Sequence, residues 1–198
     1  MKIYTRRGDD GTTGLYFGGR LRKDSPAVDA YGTVDEAQAF LGLARAETAP
    51  GSPLDTELVG LERELWVLMA DLATDHANRH KLEEGRTLVT AAMVSALEER
   101  IDEVGTGFTM PTDFVVPGQG RTAALLDVAR TVVRRAERLS LGVVAEGSQV
   151  VPYLNRLSDL LWTLARSQEA ESLYTRPSTH DAHDAHDAHD AHDDEDAR

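Results

Sequence analysis

Apolar positions recur at three- and four-residue steps through most of this chain, the period of one face of an α-helix. Leu54, Leu58, Leu61, Leu65, Leu68 and Leu72 form the cleanest run and predict a core helix from about Pro53 to Asn78. Ser25-Pro26, a capping residue followed by one suited to a first turn, opens a predicted helix reaching Glu47. Val34, Leu41 and Ala44 mark its buried side, with Ala37 and Phe40 flanking. A third helix, about Thr90 to Val104, turns Met93, Leu97, Ile101 and Val104 inward and ends at Gly105 and Gly107. A fourth, about Gln119 to Glu146, has Val128, Val132, Val133, Ala136 and Leu139 as its apolar side. The fifth, about Val150 to Glu171, carries a core stripe of Leu154, Leu157, Leu161 and Leu164, with Asn155, Asp159, Trp162 and Arg166 on a more polar side. Residues 79–88 read as a polar connection. Such helices joined by short links predict an all-α fold, an antiparallel five-helix bundle.

Both ends break the pattern. Residues 1–26 show neither helical nor strand period, and mix Gly, Thr, Asp, Arg and Lys as a phosphate-gripping loop would. The P-loop pattern Gly-x-x-x-x-Gly-Lys-Ser/Thr is absent. At the other end, His180 to Ala191 is a His-Asp-Ala repeat followed by more acid. That composition predicts a disordered, solubilising tail, with weak capture of a transition metal as the sharper alternative.

The polar chemistry gathers on the fourth and fifth helices. Arg130, Arg134 and Arg138 fall on one side of a helix, where like charges four apart repel. An anion should therefore lie opposite them. Asp35, mid-helix, is a natural partner for one of these arginines, and Gly32 beside Tyr31 suggests a close approach by another backbone or a ligand. Gly118-Gln119-Gly120-Arg121-Thr122-Ala123 matches a dinucleotide fingerprint, but no strand follows, so it reads as the start of the fourth helix.

Charge sharpens the picture. The chain of 198 residues has a net charge of −13, of which residues 178–198 carry −7 and the rest −6. A mildly acidic body with local basic clusters argues for a small anionic ligand and against nucleic acid. With no cysteine, disulfides and thiol chemistry are excluded. No apolar window reaches the length of a membrane span and no signal peptide is visible, so the expected location is the cytoplasm. No Glu-x-x-His pair is present, which argues against ferritin-like di-iron chemistry.

Three blocks, in order, resemble the PduO-type ATP:cob(I)alamin adenosyltransferases (corrinoid adenosyltransferases). They are Tyr4-Thr5-Arg6-Arg7-Gly8-Asp9-Asp10-Gly11-Thr12-Thr13-Gly14-Leu15, then Ala30-Tyr31-Gly32-Thr33-Val34-Asp35-Glu36, and lastly Arg130 to Arg138 together with Tyr153-Leu154-Asn155-Arg156-Leu157-Ser158-Asp159. The resemblance implies a homotrimer with Mg-ATP bound between subunits, and cob(II)/cob(I)alamin as the second substrate. It implies that Thr5, Arg6, Gly8, Asp9, Gly11, Thr12, Thr13 and Gly14 wrap the triphosphate, and that Mg²⁺ is held mainly by the phosphates. Lys23 and Arg134 would neutralise phosphate charge, supported by Arg135. Glu137 would face the adenosine and Asn155 the phosphates. Asp35 and Arg130 would form an intersubunit ion pair shaping the corrinoid site, and Phe114 would cover the lower face of the corrin. Arg134, Arg130, Asp35 and Phe114 are thus the expected catalytic set. A flavin-dependent reductase and an adenosylcobalamin-dependent mutase are implied as partners. The domain layout expected is a nucleotide-binding loop (1–26), the bundle (27–172) and a His/Asp-rich tail (173–198). Two other readings stand beside this one: a non-catalytic ATP/corrinoid sensor on the same bundle, and an adaptor whose arginines form only surface networks.

Overall fold

The structure, a computed structural model, describes residues 2–176; the His-Asp-Ala repeat lies outside the described residues. Five helices form the body: α1 (Pro26–Ala46), α2 (Pro53–Leu72), α3 (Ala91–Gly105), α4 (Arg121–Ser140) and α5 (Val150–Ser167). The N-terminal arm, expected to lack strand structure, instead holds a small antiparallel hairpin of β1 (Thr12–Gly14) and β2 (Arg20–Arg22). Three-residue strands are too short to leave a readable alternation in sequence.

Cross-helix polar contacts fix the antiparallel order. Gln38 and Arg45 of α1 reach Glu62 and Asp55 of α2. Glu36 in the middle of α1 pairs with Arg135 in the C-terminal half of α4, and Glu47 at the end of α1 pairs with Arg121 at the start of α4. Asp127 and Glu137 of α4 meet Arg166 and Asn155 of α5 in the same reversed sense. Between these helices Leu58, Leu65, Leu68, Leu126, Leu154, Leu157, Leu160 and Leu161 are fully buried. Small residues, among them Ala30, Ala37 and Ala44 of α1 and Ala129 and Ala136 of α4, are also fully buried, which lets these two helices approach closely. Ala37, expected at the flank, is therefore core.

Helix ends account for the other differences from expectation. α2 stops at Leu72, where its leucine period ends, rather than at Asn78. Thr74 bonds back to the Ala70 carbonyl, and Asp75 then caps a separate 3₁₀ turn over His76–Lys81. Buried Asp71 ties that turn down through Arg79 at 2.7 Å and accepts from the Val89 amide at 3.0 Å. α4 stops at Ser140 instead of Glu146, because Ser140 closes a turn with Val143 and Val144 and those valines fold back onto the core. Two members of the expected apolar side of α4, Val128 and Leu139, are 39% and 37% exposed. On α3 only Val94 and Leu97 are fully inside, with Met93, Ile101 and Val104 packed at the margin. Gly118, with φ of 116°, turns the chain into α4, and Gly120 takes the N-cap position, so the glycine-rich segment is a helix start. Among the described residues no helix is long and apolar enough to cross a membrane.

Candidate functional site

The arm is a closed loop with its backbone pinned from inside. Asp10 accepts from both the Thr12 amide (3.0 Å) and the Thr12 hydroxyl (2.7 Å), and these bonds hold its carboxyl below the usual carboxylate range. Arg20 reaches across to the Thr12 hydroxyl at 2.9 Å and the Arg7 carbonyl at 2.6 Å. The Lys23 amide donates to the Gly11 carbonyl at 2.9 Å. A Cβ at Gly8 would lie 3.2 Å from the Lys23 ammonium and 3.0 Å from the Thr12 carbonyl. Gly8 is therefore what lets the lysine close over the loop. Arg6 has a left-handed backbone, φ of 60°, and its guanidinium lies 5.6 Å from the Tyr4 ring centre. The hairpin docks on the body through the Tyr16 amide, which donates to the Ala73 carbonyl at 3.0 Å. Thr5 and Asp9 are exposed, and Thr13 and Gly14 lie in β1 beside Tyr31. Gly8, Gly11, Thr12 and Lys23 are thus gathered on one short loop.

On α4 the three aligned arginines behave differently. Arg130 is half-buried and pairs with Asp127 one turn before it at 3.2 Å. Arg138 bonds back to the Arg134 backbone carbonyl at 2.9 Å. Arg134 is exposed, and among the described residues its guanidinium has no hydrogen-bond or ion-pair partner. Arg135 points the other way, to Glu36. Glu137 is half-buried, where its Oε1 accepts from the Asn155 amide at 3.0 Å, and the Asn155 oxygen accepts from Arg156. Glu137 and Asn155 are therefore one unit across α4 and α5.

At the opposite end of α4 the segment carrying Phe114 lies over a cavity of about 580 Å³. Phe114, Val115, Pro117, Arg130 and Trp162 are among its lining residues. The Phe114 ring is 82% exposed, yet its backbone is held at both ends: its amide donates to Asp113 at 2.7 Å and its carbonyl accepts from Thr175 at 2.9 Å. Val115 bridges to Tyr174, so residues expected to begin the tail pair with the Phe114 segment instead. An aromatic ring presented to solvent on a fixed backbone, over a cavity lined by both apolar and charged side chains, is suited to a large flat ligand.

Asp127 and Arg166, neither of which the sequence had marked as functional, border this cavity, and Glu169 lies behind Arg166. Arg166, expected on the polar side of α5, is 2% exposed and donates to Asp127 at 2.6 Å. Glu169 pairs with it, and burial pushes the Glu169 carboxyl up. The signal that could have found them was the i, i+3 pairs Asp127/Arg130 and Arg166/Glu169 on adjacent helices.

Other expected partners are not joined within one chain. Asp35 is exposed and makes no ion pair with Arg130 among the described residues. No hydrogen bond or ion pair links the arm to Arg134, Arg135, Glu137 or Asn155 among those residues. A Cβ at Gly32 would meet nothing within 4 Å, so the close approach expected there is not made by this chain. By the register that pairs Glu36 with Arg135, Gly32 lies level with Leu139, and Leu43 (52% exposed) lies level with Val128. The edge formed by α1 and α4 is therefore open, partly apolar and lined with acid.

A family described as Cobalamin adenosyltransferase matches residues 3–168. The Corrinoid adenosyltransferase of Bacillus subtilis (strain 168) is 41% identical over 179 residues, 87% of this chain and 89% of that protein. The Corrinoid adenosyltransferase of Citrobacter freundii is 39% identical over 85% of this chain and 95% of its own length. Among solved structures, a variant PduO-type ATP:corrinoid adenosyltransferase from Lactobacillus reuteri, complexed with cobalamin and ATP, superposes with a TM-score of 0.78 at 30% identity. It covers 89% of this chain and 100% of that one. A second variant, complexed with ATP, gives a TM-score of 0.76 at 30% identity over 88% of this chain.

Proposed function

The chain belongs to the cobalamin adenosyltransferase family, and from that premise we propose how its residues carry the activity. It is an enzyme that transfers the 5′-deoxyadenosyl group of ATP to cob(I)alamin, forming adenosylcobalamin and releasing triphosphate. The reduced cobalt is the nucleophile. Its electron pair forms the Co–C5′ bond while the C5′–O bond breaks, and the pair of that breaking C–O bond leaves on the triphosphate oxygen. The protein has no covalent step to perform; it must align the reacting atoms and offset the growing charge on the leaving group.

The observation that carries the assignment of roles is the exposed guanidinium of Arg134, without a partner among the described residues, one turn before Glu137 of the fixed Glu137–Asn155 pair. Arg134 takes the departing phosphate, since a guanidinium fork pairs bidentately with phosphate oxygens. Lys23 and the arm residues Thr5, Arg6, Gly8, Asp9, Gly11, Thr12, Thr13 and Gly14 close around the triphosphate, with Arg135 in support. Mg²⁺ arrives on the nucleotide. Both polar atoms of the Asn155 amide are already engaged, by Glu137 and Arg156, which suits Asn155 to orienting phosphate rather than gripping the ion alone. Phe114 covers the lower corrin face above Arg130.

The two half-sites meet between copies of the chain, in a homotrimer. What supports this is that among the described residues no hydrogen bond or ion pair joins the arm to α4 within one chain, together with the open α1/α4 edge bearing Asp35, Gly32, Leu43 and Val128. On this reading Asp35 reaches Arg130 of a neighbouring copy. The arm (1–26) is the nucleotide-binding unit and the rest, through the Tyr174 pairing, is the bundle. The enzyme works in the cytoplasm, supplied with electrons by a flavin-dependent reductase and delivering product to an adenosylcobalamin-dependent mutase.

Mixing the protein with Mg-ATP and chemically reduced cobalamin should produce the absorbance of adenosylcobalamin; no product under strict reduction would rule the activity out. Asp35→Asn should raise the corrinoid KM about fivefold to tenfold, the scale of losing one interfacial charge pair, with the ATP KM within about twofold. A shift in the ATP KM alone would remove Asp35 from the corrinoid side.

A further inference from the structure

Under the Phe114 segment four charged side chains are linked in a row, and the reading above uses only the outermost, Arg130. Arg166 sits at 2% exposure and Asp127 at 7%. Arg166 Nη2 donates to Asp127 Oδ2 at 2.6 Å and to Glu169 Oε1 at 3.2 Å. Its Nε lies 3.1 Å from Glu169 Oε2 but is misaligned for a hydrogen bond, so that contact is Coulombic. Asp127 Oδ1 completes the row by accepting from Arg130 Nε at 3.2 Å. The Arg166 guanidinium also lies 5.9 Å from the Trp162 ring centre. Asp127, Arg130, Trp162 and Arg166 border the same cavity as Phe114.

Stability gives little reason for this arrangement. Two cations and two anions in a helix interface lose hydration that their attraction only roughly restores, and apolar residues of the same volume would hold the helices as well or better. What the row does supply is orientation. Arg166 spans both carboxylates with its planar fork, and so fixes the Asp127 carboxylate in one rotamer. The second oxygen of that carboxylate takes Arg130 by Nε alone. The two terminal amino groups of Arg130 are then left without a partner among the described residues, on a side chain that is already ordered.

We propose that Asp127 and Arg166, backed by Glu169, are positioning residues that preset the Arg130 guanidinium for the corrinoid site and for Asp35 of a neighbouring copy. This rests on the role given to Arg130 above. It differs from that role in placing the control of Arg130 in the buried row, two helices deep, rather than at the interface.

A double-mutant cycle tests it on the full-length enzyme, using cob(II)alamin under reducing conditions as the varied substrate. Asp127→Asn keeps the shape and removes the charge that holds Arg130. It should raise the corrinoid KM about tenfold in the wild-type background and by less than about twofold when Arg130→Ala is already present, because residues acting through one another are non-additive. The ATP KM should stay within about twofold in both. Equal losses in the two backgrounds, or a shift confined to ATP, would overturn the proposal, since a merely structural role moves both backgrounds alike. Should Asp127→Asn not fold, Arg166→Lys, which keeps the charge and loses the fork, goes through the same cycle with the same expected sign. A folded Arg166→Lys with an unchanged corrinoid KM would be equally fatal. If wild type makes no adenosylcobalamin, the function itself fails. If Arg130→Ala is unimpaired, the role of Arg130 falls and this inference with it. If Arg130→Ala is impaired while folded Asp127→Asn is normal, only the inference falls.

Discussion

Arg134→Ala is expected to lower turnover at least about a hundredfold, the cost of removing one charge partner from a transition state. By transition-state arithmetic that is ~2.7 kcal/mol of barrier. The prediction is clean because the structure separates this side chain from the fold. Arg134 is exposed and unpaired among the described residues, and the bond from Arg138 goes to its backbone carbonyl, which alanine retains. An exposed site of this kind changes stability by only about half a kcal/mol. Thermal midpoint and circular dichroism should therefore match wild type while turnover falls. The loss should appear mainly in kcat, because triphosphate charge grows as the C5′–O bond breaks. A folded variant with near-normal kcat would mean that the charge is met elsewhere, and Arg134 would lose its assignment.

Phe114→Ala should slow the reaction begun from cob(II)alamin at least about tenfold, or ~1.4 kcal/mol of barrier. The loss should be markedly smaller when cob(I)alamin is prepared chemically beforehand. The reasoning is that an apolar ring on the lower corrin face keeps a donor ligand and water from the cobalt, and loss of that donor makes Co(II) easier to reduce. Here too the fold is spared, because the segment is held by the Asp113, Thr175 and Leu173 contacts to backbone atoms and the ring touches mainly solvent. Equal losses from the two starting states would leave Phe114 a contact residue with no effect on the metal. Spectra of the bound Co(II) state, which distinguish four- from five-coordinate cobalt, give an independent reading of the same point.

Much of the bundle was legible because its signal is local and repetitive. The α2 leucines and the α5 stripe both fell where their period put them, and a single helix face is enough to encode that. The contact between Glu137 and Asn155 was not foreseen, because each was read only toward the nucleotide and the hydrogen bond joins two helices 18 residues apart in sequence. The hairpin in the arm was not legible, because three-residue strands depend on side-chain bonds such as Asp10 to Thr12 rather than on a pattern. The exposure of Val128, and the burial of Arg166, were likewise misread. On a helix an exposed valine and a buried one look alike in sequence, and an arginine reads as surface unless its partner on another helix is known.

From the amino-acid sequence alone come the five helices, the glycine-rich arm, the row of arginines and the order of the motifs, all set by residues within a few turns of each other. The tertiary structure alone decides which arginine is free, which is held, and which is buried. Those outcomes depend on charges brought from 39 residues away, as Asp127 is to Arg166, and electrostatic pairing across helices follows distance in space, not position along the chain.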